Sequence, residues 1–450
     1  MTPSFLIATF GCKVNQYDSQ VVRESLAAAG CREVHGKDTP DLVIINTCTV
    51  TGTADSKARR LIRSMGRRFP DARIVVTGCL AERDAESVQS LPGVWRVIGN
   101  GGKADFAAEL GLPQTAPCEE APKSAAWRGP GISDFAGHTR AFVKVQDGCD
   151  AGCSYCIVPS VRGRPRSRPM ADVVDEVRRL VPRFQEIVLT GVHVGRYRDE
   201  SGAGLAALVR AVLDSAPPAR LRLSSIEVNE IEPELLDLAA TRRQFCPHFH
   251  VPLQSGSDEV LRWMNRRYTA GEYLAALDRV RARLSRPAVT TDVIVGFPVE
   301  GADDFNATAE VCRAAGFARM HIFPYSARPG TAAEQMGAPC AAPVVSARKS
   351  MLEHLARELA LAYKSSFVGE TVDVLVETER DASGRHSTSS CRPVFDPEAQ
   401  TRREPVEGRL CGYTDRYLRV LFDGSDDLRG RIVPVRIERA EPEALLGGTV

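Results

Sequence analysis

The stretch that most constrains this chain is Cys149-Asp-Ala-Gly-Cys153-Ser-Tyr-Cys156, which places three thiols in one short loop at C-x3-C-x2-C spacing. Four cysteine thiolates usually close an iron–sulfur cube. The local run supplies three, so one iron of a cube held here keeps an open position. The competing reading is a structural zinc site, which needs a fourth ligand and usually shows C-x2-C pairs. Ala141-Phe-Val-Lys-Val145 reads as a strand leading straight into the loop. The fold must therefore deliver three thiols from one strand end.

The remaining organisation follows in chain order. Four short apolar runs in the first 115 residues, Phe5–Thr9, Leu42–Ile45, Arg73–Thr77 and Val94–Ile98, have strand character. Helical patterns over Ser19–Ala29, Ala54–Arg68 and Glu82–Ser90 separate them. Apolar strands alternating with helices predict a parallel sheet covered on both faces. Cys12, Cys48 and Cys79 each fall just beyond the carboxyl end of one of the first three strands. Those ends meet at one edge of an open parallel sheet, where ligands bind. Three thiols distant in sequence are thus expected to converge as a second three-cysteine site. The bland alternative is that they are small buried residues, since free cysteine is often core. Gly11 and Gly78 precede two of them and permit close backbone approach. Cys31 lies in a helix–strand connection and reads as a bystander.

Residues 116–137, rich in Pro, Gly and Ala, read as a linker, with Cys118 in it and without a role. A second series of strands occupies 138–365: Ala141–Val145, Glu186–Thr190, Leu221–Ile226, His248–Val251, Thr290–Val295 and Met320–Tyr325. Helical stretches such as Asp172–Leu180 and Tyr273–Leu284 intervene, and a helix over Val345–Lys364 ends the series. Six such strands predict a barrel or partial barrel with its site at the strand carboxyl ends, where the Cys149 loop lies. From 366 to 450 the texture changes to short β patterns at Thr371–Glu377, Glu407–Tyr413, Tyr417–Phe422 and Arg431–Ile437, with polar Asp381–Glu404 between the first two. A small β-barrel is expected there. The expected class is α/β: a Rossmann- or flavodoxin-like domain (1–115), a linker (116–137), a partial (β/α)6 barrel (138–365) and a small C-terminal β-barrel (366–450).

Composition narrows the setting. A chain of 450 residues has room for two to four domains, and no apolar run reaches membrane-spanning length. The N-terminus lacks a basic region before its apolar run and reads as a first strand, not a signal peptide. The expectation is a cytoplasmic, reducing compartment, in which the 13 cysteines are cluster ligands or free thiols. No pairing is assigned to Cys246, Cys312, Cys340, Cys391 or Cys411, and none of the histidines, including His248 and His250, forms a clear metal set. The net charge of +1 announces no nucleic acid, but arginines are clustered. Arg59, Arg60, Arg63, Arg67 and Arg68 crowd one helix. Arg162, Arg164, Arg166 and Arg168 follow the cysteine loop. Arg402, Arg403, Arg409 and Arg416 lie near Tyr413 and Tyr417. Guanidinium groups suit phosphates and aromatics can stack exposed bases, although charge runs are commonly solvated faces.

The cysteine loop resembles the radical S-adenosylmethionine signature, with Tyr155 where an aromatic is usual. Gly11-Cys12-Lys-Val-Asn-Gln, Asn46-Thr-Cys48-Thr-Val-Thr and Thr77-Gly-Cys79 resemble the N-terminal domain of methylthiotransferases. Gln146-Asp-Gly-Cys149, Cys156-Ile-Val-Pro, Arg162-Gly-Arg, Pro252–Ser257, Met264–Thr269, Thr291–Pro298 and Phe323–Thr331 extend the match through their radical core. Gly412–Tyr417 is similar to the TRAM domain, an RNA-binding β-barrel. Two positions depart from the usual pattern: Val299 replaces a common Gly, and Gly152 replaces a larger residue. Gly-Cys-Lys-Val-Asn-Gln, with His193 in Thr190-Gly-Val-His, resembles the branch acting on N6-threonylcarbamoyladenosine in tRNA. Other branches act on isopentenyladenosine in tRNA or on an aspartate of a ribosomal protein.

The resemblance implies two 4Fe-4S clusters, at Cys149, Cys153 and Cys156 and at Cys12, Cys48 and Cys79. The first would cleave S-adenosylmethionine to a 5′-deoxyadenosyl radical, needed because the adenine C2–H bond is strong and offers no easily removed proton. The second would carry sulfur, which a second S-adenosylmethionine would methylate. It further implies that Gly191 lies near the methionine end of the cofactor, Glu227 near its ribose and Tyr155 near its adenine. The partners implied are a tRNA anticodon loop, an electron donor such as flavodoxin or ferredoxin, and a sulfur source. A non-catalytic iron–sulfur RNA-binding protein is the reading from a different class. Stoichiometric 5′-deoxyadenosine on anaerobic reduction separates the two.

Overall fold

The computed structural model describes residues 3–35, 38–113, 131–337, 339–378 and 409–450. Cys118, Cys391, Arg402, Arg403 and the Asp381–Glu404 stretch lie outside the described residues.

The first sheet has five parallel strands in the order Arg32–Glu33, Ser4–Thr9, Leu42–Thr47, Arg73–Gly78, Val94–Ile98. Alternation along the strands divides its apolar side chains between two faces. Val43, Ile45, Ile74 and Val76 pack with Ala58, Leu61 and Ile62 of helix Gly52–Arg68. Leu42, Ile44 and Val75 pack on the other face with Val22 and Leu26 of helix Lys13–Ala28 and with Phe106.

Helix Lys13–Ala28 begins six residues before the expected Ser19. Asn15, Asp18, Ser19 and Gln20 are buried on it, so hydrophobic periodicity misses its first turns. Asn15, Asp18 and Gln20 meet residues beyond this domain, Arg162, Lys144 and Ala136 among them, while Ser19 bonds Thr9 and Asn46 within it. The helix expected over Glu82–Ser90 is two short pieces, Cys79–Arg83 and Ala85–Gln89, parted at Asp84.

The second unit is a partial barrel. Ala141–Asp147, Glu186–Gly191 and Arg220–Leu223 are parallel neighbours, with the short antiparallel Arg166–Ser167 on the outer edge. His248–His250, Ala288–Val295 and Arg319–Pro324 form a second parallel group. Parallel bridges Leu221–Phe245 and Ser225–His250 join the groups into a run of six parallel strands. The expected strand Leu221–Ile226 ends at Leu223, and only the Ser225 bridge continues it. The large core lies between these strands and the helices outside them, such as Met170–Leu180, Leu205–Ser215 and Ala270–Arg283. Ile132 and Phe135, at the end of the expected linker, are buried in that core.

The third unit is a closed five-stranded barrel in the order Thr371–Val376, Arg409–Thr414, Arg419–Asp423, Leu445–Thr449, Ile432–Ala440. Val374, Val420, Phe422, Val435 and Leu445 fill it. The closing strand Leu445–Thr449 was not expected, because its Leu-Leu-Gly-Gly-Thr lacks β-former alternation. It lies parallel to Arg419–Asp423 and antiparallel to Ile432–Ala440, so it leaves neither edge open. No helix among the described residues is long and apolar enough to cross a membrane.

Candidate functional site

The sheet brings the first three cysteines together. Ser4–Thr9, Leu42–Thr47 and Arg73–Gly78 are adjacent, with Thr9 opposite Asn46 and Thr47 opposite Gly78. Cys12 caps the following helix, Cys48 follows its strand directly, and Cys79 opens a short helix. A Cβ on Gly11, at φ +101°, would stand 2.7 Å from the Cys48 Cβ and 3.0 Å from its Sγ. Only a bare backbone fits there. Asn15 Nδ2 donates to Phe10 O (2.7 Å) and Thr47 O (2.9 Å), tying the first two cysteine turns together. Burial pushes the Cys48 thiol up to about 12, and Cys12 and Cys79 add to that through their charge. Burial also raises Cys79, against the pull of Arg162 and Lys103. Buried thiols of this kind ionise readily only when a cation takes the thiolates.

The second triad is local. Gly148, at φ +77°, turns the chain after Ala141–Asp147; a Cβ there would stand 2.1 Å from Arg164 O. Cys149 N–H donates to Gly163 O (3.0 Å) and Cys156 N–H to Cys153 O (3.1 Å). Ser154 N–H donates to Met264 O (3.1 Å), and Asn265 Nδ2 donates to Gly152 O (2.8 Å). The Met264–Thr269 segment thus clamps the loop. Arg266 Nη1 lies 3.5 Å from Cys153 Sγ and its other nitrogen pairs with Glu227. His193 Nδ1 lies 3.4 Å from Cys149 Sγ, while Nε2 stands 2.9 Å from Glu230. Burial pushes Cys156 up to about 12.

No group of three or more Cys, His, Asp or Glu among the described residues is spaced to hold a single metal ion. Thiolates of a cube bind three different irons and stand farther apart than ligands of one ion. Three thiols at each site are the donor set that a cube with one open iron takes.

The triads meet across a domain seam. Cys79 packs against Ile157, the residue after Cys156, and against Val161. Arg162, 3% exposed in its side chain, reaches back into the first domain. It pairs with Asp18 (2.8 Å) and Asp147 (3.3 Å) and hydrogen-bonds Asn15. Lys103 and Lys144 also pair with Asp18, at 3.0 and 2.5 Å. Burial opposes ionisation of Asp18, yet Lys103, Lys144 and Arg162 outweigh it and hold the carboxyl well below its usual range. A second seam joins Asp55 to Arg83 (2.6 Å) and to Arg328 (2.5 Å) of the core.

The remaining expected residues fall as follows. Gly191 ends its strand, and a Cβ there would lie 2.8 Å from Gln146 O. Glu227 follows strand Arg220–Leu223 and is held by Arg266. Tyr155 packs against Val260, Met264 and Phe297, where Val299 also packs.

The RNA expectations need correction. Arg162 and Arg168 are buried, Arg168 pairing with Glu176 at 2.6 Å, so neither faces solvent. Arg59 is engaged by Asp84 and Ser87. Arg416 donates to Ser285 O and Arg286 O, and pairs with Asp415. Tyr413 and Tyr417 stack on each other at 4.8 Å, beneath Arg140. They belong to the junction between barrel and core, where Arg140 pairs with Glu377 (2.6 Å). Arg60, Arg63, Arg67, Arg68, Arg164 and Arg166 remain exposed. Sequence reasoning missed the roles of Arg266, Asp18, Lys103 and Lys144, because each pairs with a residue distant in the chain.

A partial parallel barrel with a three-cysteine loop after its first strand defines a radical S-adenosylmethionine enzyme. Residues 143–312 match the radical SAM superfamily, and residues 4–99 match the uncharacterized protein family UPF0004. The chain is 37% identical to the threonylcarbamoyladenosine tRNA methylthiotransferase of Chlamydia pneumoniae, over 99% of this chain and 98% of that one. It is 34% identical to the protein of that name in Bacillus subtilis, over 96% and 93%. It is also 34% identical to the tRNA-2-methylthio-N(6)-dimethylallyladenosine synthase of Mycobacterium tuberculosis H37Ra, over 98% and 81%. Among solved structures, the radical S-adenosylmethionine methyltransferase TsrM of Kitasatospora setae shares the fold: TM-score 0.51, 17% identity, covering 72% of this chain and 75% of that one. The chain belongs to the methylthiotransferase family of radical S-adenosylmethionine enzymes. It uses an iron–sulfur cluster and S-adenosylmethionine.

Proposed function

We propose that this enzyme methylthiolates C2 of N6-threonylcarbamoyladenosine next to the anticodon of tRNA. The observation that carries the reading is the pair of three-thiol sites on neighbouring elements, with Cys79 packed on Ile157, the residue after Cys156, in a chain whose full-length relatives bear that activity in their name. Bound at these sites, one 4Fe-4S cluster would supply the electron that cleaves S-adenosylmethionine, and the other an open iron for the sulfur.

The chain's own residues prepare both sites. Cys149, Cys153 and Cys156 would hold the first cluster and Cys12, Cys48 and Cys79 the second. Arg266, beside Cys153, offsets thiolate charge and fixes Glu227. Glu227 would accept from the cofactor ribose, Tyr155 would cover its adenine, and bare Gly191 would leave room for its methionine end. Arg162 places a fixed cation beside Cys79 and locks the domains in register.

The domain limits at 115, 137 and 365 and a cytoplasmic site of action are part of the proposal. All 11 described cysteines are free, which suits a reducing compartment. A flavodoxin or ferredoxin would deliver electrons, and a separate donor the sulfur. The small C-terminal barrel would contribute to tRNA binding.

Nucleoside mass spectrometry of tRNA from cells with and without the gene tests the reading. Loss of 2-methylthio-N6-threonylcarbamoyladenosine with accumulation of its unthiolated precursor is expected. Loss of the isopentenyl counterpart would transfer the protein to the branch of the Mycobacterium relative. No change in either nucleoside would overturn a tRNA substrate.

A further inference from the structure

One polar group inside the barrel serves neither triad. Phe249, Val289, Val293 and Met320 point to the helices and belong to the main core. By strand alternation, His248, His250, Thr290, Asp292, His321 and Phe323 share the opposite, inner face. His250 Nδ1 lies 2.9 Å from Thr290 Oγ1, and Nε2 lies 3.3 Å from Asp292. Asp292 stands opposite His321 in register. The His250 and His321 rings are 6.0 Å apart. His321 stacks on Phe323 with planes 18° apart, and Phe323 is 44% exposed.

Lys13 enters this space from the other domain, directly after Cys12. Its electrostatic neighbours are Arg222, Cys12, Asp292 and Arg140. Lys13 is in turn a neighbour of His248, Asp292 and His321. It makes no hydrogen bond or ion pair with any described residue, and Asp292 is already engaged by His250. Lys13 is half-buried, and a partly desolvated ammonium is stabilised by an anion in contact with it. A cation near Asp292 but in contact with no carboxylate, two imidazoles and an exposed aromatic ring therefore line one space beside a triad thiol.

We propose that Lys13, His250 and His321 form a subsite for a carboxylate carried on the exocyclic nitrogen of the target purine nucleotide, with Phe323 as the surface against which the base stacks. The inference rests on the threonylcarbamoyladenosine reading, since that substituent ends in a carboxylate. An ammonium–carboxylate hydrogen bond in a partly desolvated site is among the stronger polar contacts. Aromatic stacking of a base adds affinity without reading its sequence.

The test is binding, not turnover. Anaerobically reconstituted enzyme is titrated at one salt concentration with anticodon stem-loop RNAs. Their target adenosine carries N6-threonylcarbamoyl, the same group with its carboxylate converted to a neutral methylamide, or no substituent. The wild type is expected to bind the carboxylate RNA about tenfold more tightly than the methylamide. Lys13→Gln should erase that ratio and leave methylamide binding in place, and Lys13→Arg should keep most of it. A ratio that survives Lys13→Gln overturns the subsite. Should Lys13→Gln lower the iron content, His321→Gln takes its place: a collapsed ratio supports the subsite and an intact one overturns it. A wild type with no preference for threonylcarbamoyl over unsubstituted RNA would instead fault the substrate reading itself.

Discussion

The two thiol triads are assembled by opposite routes. Cys149, Cys153 and Cys156 sit in one loop, clamped by backbone hydrogen bonds that its N–H groups donate to the carbonyls of Gly163, Met264 and Cys153. Cys12, Cys48 and Cys79 come from three strands, and their meeting depends on sheet register, on two bare glycines and on a charged seam with another domain. A loop site tolerates strain elsewhere in the molecule. A site built from sheet edges is only as well formed as the packing that aligns them.

The largest effect comes from removing each triad separately. Replacing Cys149, Cys153 and Cys156 with Ala should abolish 5′-deoxyadenosine formation and halve bound iron. Replacing Cys12, Cys48 and Cys79 should halve iron as well but spare 5′-deoxyadenosine formation and eliminate the methylthio product. Iron analysis with product chromatography reads both. Equal loss of 5′-deoxyadenosine in the two variants would break the division of labour.

Arg162→Ala comes next. It leaves Asp18 and Asp147 buried with a cation missing, a change that typically costs ~3–5 kcal/mol. The loss should appear as an earlier denaturation midpoint and faster proteolysis near the domain seam. Arg162→Lys should recover part of it, since Lys keeps the charge but cannot reach Asp18, Asp147 and Asn15 together. Gly11→Ala is smaller, ~1–3 kcal/mol for a left-handed backbone position that also crowds Cys48. Its iron loss should fall on the first-domain triad alone, which iron analysis and spectroscopy of a variant lacking the loop cysteines would reveal.

That asymmetry also governs what was legible in the sequence. The loop triad is visible as spacing, because its ligands are neighbours in the chain. The strand-end triad is visible one step later, because apolar runs reveal the strands and each cysteine follows one. The seam is not visible. Asp18 and Lys144 look like solvated charges until each meets the other at 2.5 Å across domains. The same blindness shortened the expected helix, whose first turns bury polar side chains. It also misassigned Arg162, Arg168, Tyr413 and Tyr417 to RNA, since an arginine cluster reads alike whether carboxylates or phosphates neutralise it. The last strand escaped for a different reason. Its two glycines have no side-chain signal, and barrel closure places it.

Glu227→Ala probes the cofactor side of the loop triad at lower cost. Its half-buried carboxylate is held by Arg266, so removal deletes one proposed ribose contact and frees Arg266 beside Cys153. About tenfold weaker S-adenosylmethionine binding is expected, the equivalent of ~1.4 kcal/mol. Isothermal titration of reconstituted enzyme that binds as tightly as the wild type would remove Glu227 from the site.

The smallest effects belong to surface arginines, which act on neither triad directly. Arg63 and Arg67 are exposed on the helix Gly52–Arg68, whereas Arg59 is held by Asp84. If this face meets the tRNA backbone, Arg63→Ala and Arg67→Ala should each weaken binding about equally for all tRNAs. Each should also reduce the slope of log affinity against log salt by about one. Arg59→Ala should change the slope less, because its charge is already neutralised within the protein. Deleting residues 366–450 tests the other expected contact, and an unchanged salt slope would leave no basic contact in the C-terminal barrel. Since Arg222 donates to Thr414 O and Asp415 O of that barrel, the truncation also strips partners from a buried arginine beside the proposed base subsite. A loss of affinity without a change in slope would therefore locate the barrel's contribution in supporting the core, while a loss with a shallower slope would locate it in phosphate contact.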